Sequence, residues 1–515
     1  MRRTLVVVLA LIAAVGLLAP PVMAQAPAPK VTINGLLDFV GSISKNWADT
    51  DVTNARDTLS YTRERGRIDI IGEVGKTKMV WGIELDFNNG QTTGAAAPGN
   101  SSSFDLDTDV AGFTETKWLY VETPLTGPGS IMPFIPVAST IRGGAQPFRG
   151  HEYKFGLIAG GDFGGVSVDT KWAPNVSSSL TWVQVREALY RTQSTTTRNG
   201  ESYAVLASVE VTPFKGLAVK PTYVYKDGDG GNNGSGALGY EAKDGFAYSN
   251  AGAASAHNTH LHTFGAEAKW TMGGLRIEPS VFWQLGSQGI APQRINNSVK
   301  NSVDVRSWIF DGIAGYRLGP LDLSTRFMYT PGQETQHIVA NGSDIGYFQT
   351  PVNSGFAYFT GYTELQTSQV EYNNSLYSGC PGCTLRQNPS YDKYGRIMWA
   401  VKADYSLTPA LIFYGIVNAS WTDEDVDRNQ IVGATGSVRS LRGDQIRGEE
   451  NYLGTELDLG MTWRFAPNTA LDLVWAYMWT GGAFDQSTNA ANQTAGVVND
   501  AKDIYKAIAR IRFTF

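Results

Sequence analysis

From residue 31 to the last residue the chain keeps a side-chain period of two. Between residues 78 and 88, Met79, Trp81, Ile83, Leu85 and Phe87 alternate with Lys78, Val80, Gly82, Glu84, Asp86 and Asn88. Successive side chains of a strand point to opposite faces, so one face here is wholly apolar and the other mostly polar. The same alternation returns at residues 275–285, 453–465, 471–479 and 505–515. A soluble sandwich would alternate too, but three further features point to a membrane. The segments are about ten residues long, the length of a tilted strand crossing hydrocarbon. Trp, Tyr and Phe gather near the ends of the apolar faces, as in an interfacial girdle. Connections alternate between short (74–77, 213–216, 271–274, 318–320, 406–410, 466–470) and long (44–60, 89–112, 187–202, 227–258, 286–302, 331–393, 422–451, 481–503). Transmembrane barrels separate short periplasmic turns from long outer loops in this way, whereas a sandwich has no reason to.

The expected fold is therefore an all-β, transmembrane antiparallel β-barrel. Eighteen strands begin near Val31, Tyr61, Lys78, Thr114, Val137, Val166, Leu180, Tyr203, Leu217, Thr259, Leu275, Val303, Leu321, Tyr394, Leu411, Tyr452, Leu471 and Tyr505. Across 113–185 the alternation blurs and Pro is frequent, so 16 strands stay open as the alternative. An even count puts both termini on the periplasmic side. Closure leaves no edge and satisfies every backbone group internally, as lipid requires. A barrel of this size is too wide for its own side chains to fill, which implies an aqueous channel.

Composition agrees. Charged residues are only 17% of the 515, aromatics reach 11%, and there are 57 Gly. A mean hydropathy of -0.19 excludes a bundle of membrane helices, and a net charge of -6 argues against a nucleic-acid partner. Residues 1–24 read as a cleaved signal peptide: Arg2 and Arg3 precede the apolar run 5–18, and Val22, Met23 and Ala24 stand before the cleavage point. The apolar run is short for a spanning helix, which needs about 20 residues. Residues 25–30 read as a short leader and 31–515 as a single barrel domain.

Arg63, Arg65 and Arg67 share one face of the second strand, opposite Gly66, Ile68 and Ile70. A charge on the lipid face at the midplane costs about 2–4 kcal/mol, so these arginines are expected to face the lumen. Glu84, Asp86, Arg276, Glu278, Asp322, Arg326, Arg396, Lys402, Asp404, Glu456, Asp458 and Arg464 fall on the same inner face. Mixed charge of this kind suits small polar solutes better than one dedicated ion.

The signal peptide, the alternating barrel and the terminal Phe515 resemble the Gram-negative outer-membrane porins. That resemblance implies export to the cell outer membrane, contact with its lipid and lipopolysaccharide, and a homotrimer. It also implies that Phe513 and Phe515 are read by the barrel assembly machinery. Asp162-Phe163-Gly164-Gly165 is similar to the acidic-Phe-Gly-Gly segment of the inward-folded third loop of general porins. Val166 stands where those porins usually carry a further carboxylate. In that family such a loop opposes an arginine row. The resemblance thus makes Asp162 and Glu152 the counterparts of Arg63, Arg65, Arg67 and Arg142 at a constriction. Arginines that merely saturate neighbouring carboxylates along a wet wall are the plainer alternative.

Other groups carry less. Cys380 and Cys383, in the longest loop, read as a small disulfide; free thiols, a redox pair or metal ligands are the alternatives. His257, His260 and His262, the Asp227–Asp229 segment with Asn232 and Asn233, and Asp423, Glu424, Asp425 and Asp427 read as solvated rim. No catalytic constellation, metal site or cofactor motif stands out, so no enzyme and no cofactor are expected. The functional expectation is passive diffusion of small hydrophilic solutes and ions past an inward-folded third loop. The alternatives are a channel selective for sugars or organic anions, and a surface adhesin or scaffold whose 331–393 loop binds partners or gates the mouth.

Overall fold

The computed structural model describes residues 27–47, 58–89, 103–104, 114–186, 202–228, 259–295, 298–332, 344–353, 359–366, 370, 394–426, 450–485 and 500–515. Residues 1–24, His257, Asp229, Asn232, Asn233, Cys380, Cys383 and Asp427 lie outside the described residues.

Eighteen antiparallel strands close into one barrel. In chain order they are β1 (Lys30–Lys45), β2 (Thr58–Val74), β3 (Thr77–Asn89), β4 (Thr114–Thr126), β5 (Ala138–Pro147), β6 (Asp162–Ala173), β7 (Val176–Arg186), β8 (Ser202–Phe214) and β9 (Leu217–Gly228). Then follow β10 (Thr259–Met272), β11 (Leu275–Ile295), β12 (Ser298–Leu318), β13 (Leu321–Thr330), β14 (Arg396–Thr408), β15 (Leu411–Val426), β16 (Glu450–Ala466), β17 (Thr469–Thr480) and β18 (Ile504–Thr514). Each strand pairs with its sequence neighbour, and β18 returns to β1 in a register running from Leu36↔Thr514 to Lys45↔Tyr505. The 16-strand alternative falls away, because 114–186 holds four paired strands.

Seven of the eight connections at one end are two residues long. Positive φ at Gly75 (62°) and Asn468 (57°) supplies the backbone that a tight hairpin needs. The eighth, residues 127–137, is longer and is held by Gly127 N–H donating to the Ile135 carbonyl at 2.9 Å. The opposite end carries the long connections, with one departure from expectation. Residues 286–302 do not form a loop; β11 and β12 run through them and leave only 296–297 between. The stretch pairs from Gly286↔Val305 to Gly289↔Ser302 and again from Gln293↔Lys300 to Ile295↔Ser298, with a register shift before Gln293.

Burial is inverted relative to a soluble protein. Trp283 and Trp399 are 46% and 54% exposed on the outer face, whereas Glu267, Asp311 and Glu456 are fully buried inside. An apolar outer band is what acyl chains require. Val417 sits in mid-span on β15, between Val401 and Leu457 of its neighbours, and is exposed. Val417→Arg is expected to lower folding stability in liposomes by about 2–4 kcal/mol, read by urea titration. No loss of stability would mean that this face does not meet hydrocarbon.

The inner face is not uniformly polar. Ala204, Leu206, Val224, Phe282, Ile309, Met328, Met398 and Ala400 point inward and form a buried cluster with Leu157, Ile158, Phe348, Val352, Phe359 and Tyr362. The latter six belong to two outer loops, so the barrel has a hydrophobic core within its lumen.

Candidate functional site

Two outer loops turn inward and are stitched to the wall and to each other. The third loop, residues 148–161, is pinched at its neck, where Phe148 N–H donates to the Gly161 carbonyl and the Phe148 and Phe163 rings stack at 4.3 Å. Gly150 (φ 81°) lies against β7, where a Cβ would stand 2.3 Å from Ser179 Oγ, so only glycine permits this approach. The His151 ring bridges Thr181 Oγ1 at 2.7 Å and Ser208 Oγ at 3.1 Å. Burial, aided by the Lys220 charge, pushes this imidazole down to about 4 and keeps it neutral. Next, Glu267 of β10 accepts the N–H groups of Tyr153 and Lys154 at 2.5 and 3.2 Å. The Lys154 ammonium reaches onward to Ser280 Oγ (2.6 Å) and the carbonyls of Glu278 (2.7 Å) and Asp311 (3.2 Å). The loop therefore crosses from β5 to β12. Glu152 closes its return, accepting N–H groups from Gly156, Ile158 and Ala159. Burial, then the nearby Glu267 charge, pushes the Glu152 carboxyl up to about 8.

The seventh loop, residues 331–395, supplies the second crossing. Ile345 exchanges backbone hydrogen bonds with Asp304 and Arg306 of β12. Gln284 of β11 clasps Gln349 by donating to its carbonyl at 2.8 Å and accepting its N–H at 3.2 Å. Val352–Asn353 then pairs in parallel with Ala159–Gly160, joining the two loops. Farther along, the Arg326 guanidinium of β13 lies under Phe359 (4.3 Å) and Tyr362 (5.7 Å) and is held by Asp311 of β12. Glu456 of β16 accepts the Thr363 hydroxyl and the N–H groups of Glu364 and Leu365 at 2.6–2.8 Å. Finally Arg510 of β18 donates to the Val370 carbonyl at 2.7 Å. A buried polar group without a partner costs about 1–3 kcal/mol, so each clasp fixes loop and wall together.

Water reaches inner-face charges at Glu210 of β8, Arg276 of β11 and Asp404 of β14 as well as along the β2–β6 wall. There the side chains of Asp86 and Asp169 remain 31% and 42% exposed. Arg65 of β2 makes two hydrogen bonds to Asp86 of β3, and Arg67 pairs with Glu84. Lys117 of β4 links Glu84 (3.1 Å) to Asp162 (3.2 Å). Arg142 of β5 pairs with Glu122 at 3.0 Å and stands 3.7 Å from Asp169 of β6.

The placement of the sequence candidates follows from these pairs. Arg63, Arg65 and Arg67 face inward on β2, and Arg142 faces inward on β5; Arg63 and Arg142 are buried. Asp162 is the first residue of β6 rather than part of the third loop, and it meets Lys117 and Trp118 Nε1 (2.7 Å) instead of an arginine. Glu152 is on the third loop, but its carboxylate serves that loop's own backbone. No opposition across a gap between loop acids and the arginine row occurs among the described residues. Phe513 and Phe515 stack at 5.9 Å on the outer face. No sequence motif singles out Lys154, Glu267 or Asp311, and Gln284 stands out only as one polar-face residue of the 275–285 strand. The signal available for them was inner-face residues apolar on both sides of a strand, as at residues 281–282, 308–310 and 397–401.

A closed, lipid-belted barrel with a charged lumen crossed by loops defines a class: an outer-membrane β-barrel channel. Residues 177–498 match the family model for alginate export, and the chain belongs to that family. No curated protein matches it. Among solved structures it is similar to OprD from Pseudomonas aeruginosa, with 9% identity over 96% of this chain and 95% of that one and a TM-score of 0.49. OccK8 (OprE) of the same organism is 10% identical over 94% and 98%, at a TM-score of 0.46.

Proposed function

We propose that the protein is a selective outer-membrane channel for anionic, hydroxyl-rich solutes rather than a general diffusion pore. The observation that carries this reading is the stitched pair of inward loops. Together they are fixed to strands from β7 to β18, and the strip of paired charges on β2–β6 borders the route that remains. The family is described by the export of alginate, a polymer of sugar carboxylates, which is the solute chemistry such a strip suits. Arg65, Arg67 and Arg142 each keep a carboxylate partner, so a passing anion meets no bare cation there and is held only shallowly. Conduction needs binding favourable enough to enter and weak enough to leave.

Purified protein in planar bilayers tests the reading. Wild type is expected to show small conductance steps and an anion-selective reversal potential in a salt gradient. Excising residues 344–366 behind a short Gly-Ser linker is expected to raise the step size several-fold and flatten the selectivity. Cation preference in the wild type would overturn the anion reading, and an unchanged step after excision would overturn the loop's part in it. Large, unselective steps from the wild type would instead favour passive diffusion of small polar solutes.

A further inference from the structure

We propose that the short-turn mouth of the barrel holds a binding site for a sugar carboxylate, built on Arg149 of the third loop and Lys171 of β6. The proposal rests on the anion-channel reading above and deepens it by placing the selecting step at one end, away from the arginine row of β2. The two cations line one cavity of about 540 Å³ beside the 174–175 turn. That volume falls in the range of small-molecule sites, about 300–1,000 Å³.

Arg65, Arg67, Lys117 and Arg142 already face carboxylates, so the row conspicuous in the sequence is largely neutralised. Arg149 and Lys171 are exposed, and neither has an ion pair or side-chain hydrogen bond among the described residues. The two acids that line the same cavity are both engaged. Asp169 accepts from Ser179 Oγ at 2.6 Å and faces Arg142. Glu210 accepts from Tyr153 Oη at 2.8 Å and pairs with Lys220 at 3.1 Å. An entering anion therefore meets two cations without ion-pair partners, beside two carboxylates that each hold one. A guanidinium binds a carboxylate in a planar, two-pronged fashion and an ammonium adds a point charge, and both groups line the same cavity. Thr140 and Ser177, also in the lining, bring hydroxyls suited to a sugar ring. Arg149 precedes Gly150, where the third loop docks on β7, so the site sits directly at the constricting loop.

The test is sided current block of the full-length protein in planar bilayers, with sodium glucuronate, glucose and inorganic phosphate as probes. Glucuronate added at the short-turn side is expected to block the wild type saturably, more strongly than phosphate, with glucose inert. Arg149→Gln with Lys171→Gln is expected to raise the half-blocking concentration by about tenfold per cation removed. Arg149→Lys with Lys171→Arg should restore most of the block. Lys76→Gln, a charge loss on another short turn at the same end, should leave it unchanged. An anion-selective channel whose glucuronate block is identical in the double Gln variant overturns the site while leaving the channel reading intact. Equal block by phosphate, or by glucose, overturns the sugar-carboxylate assignment. A cation-selective channel with no block overturns both.

Discussion

Arg326→Met is expected to free the 359–366 segment of the seventh loop and to lower unfolding stability by about 3–5 kcal/mol. Arg326 makes three contacts to the Asp311 carboxylate, two at 3.1 Å and one at 2.7 Å, and both residues are buried. Its outer surface carries the rings of Phe359 and Tyr362, and its Nη1 faces the Thr360 carbonyl at 3.4 Å. Methionine keeps much of the stem's packing but strands the Asp311 charge in the lumenal core. Lys154, with its ammonium 3.8 Å from Asp311, supplies partial compensation and places the expected loss toward the lower end of that range. Asp311→Asn should therefore cost less in the Met background than in the wild type, a coupling that a double-mutant cycle reads directly. Urea unfolding in detergent micelles gives the stability, and bilayer recording gives the consequence: larger and noisier steps as the loop leaves the lumen. Lost stability with an unaltered step would show that the seventh loop stays docked without Arg326.

The same region explains what the sequence did and did not disclose. Strand number, order and closure follow from the period of two, because lipid accepts only apolar side chains on one face, as at Met79, Trp81 and Ile83. The periodic signal says nothing about what covers the other face. Where that face is charged, as at Arg65 and Glu84, water is the natural partner, and the inward placement of the arginine row was legible. Where it is apolar, as at Phe282, Ile309 and Met398, something must cover it, and the covering residues lie far along the chain in two loops without a regular pattern. The hydrogen bonds that fix those loops are mostly side chain to backbone: Glu267 to 153–154, Gln284 to 349, Glu456 to 364–365. Backbone groups carry no residue identity, so no motif announces them. Asp162 illustrates the converse. A four-residue likeness to a loop motif suggested a loop, but pairing from Pro147↔Asp162 onward makes it the start of a strand.

Gly35→Val is expected to open the barrel seam, with a loss of about 1–3 kcal/mol of folding stability. The β1–β18 ladder ends in a reciprocal pair, Gly35 N–H to the Phe515 carbonyl at 2.9 Å and Phe515 N–H to the Gly35 carbonyl at 3.0 Å. The Phe515 ring lies over the glycine, so that a Cβ there would stand 2.1 Å from the ring's far carbon. Valine cannot fit unless the ring swings away, and moving the ring loses its stack on Phe513 and strains the last hydrogen-bonded pair. In a closed sheet this pair joins the first strand to the last, so fraying it exposes strand edges to hydrocarbon, where unpaired backbone groups cost several kcal/mol each. Refolding into liposomes, without any assembly factors, reads this steric effect on the barrel alone. Folded protein is read as the heat-sensitive fast band on a gel. Phe515→Ala removes the obstacle, so the Gly35→Val penalty should largely vanish in the double variant. A penalty of equal size with alanine at 515 would place the damage in β1 itself and remove the ring-on-glycine contact as the cause.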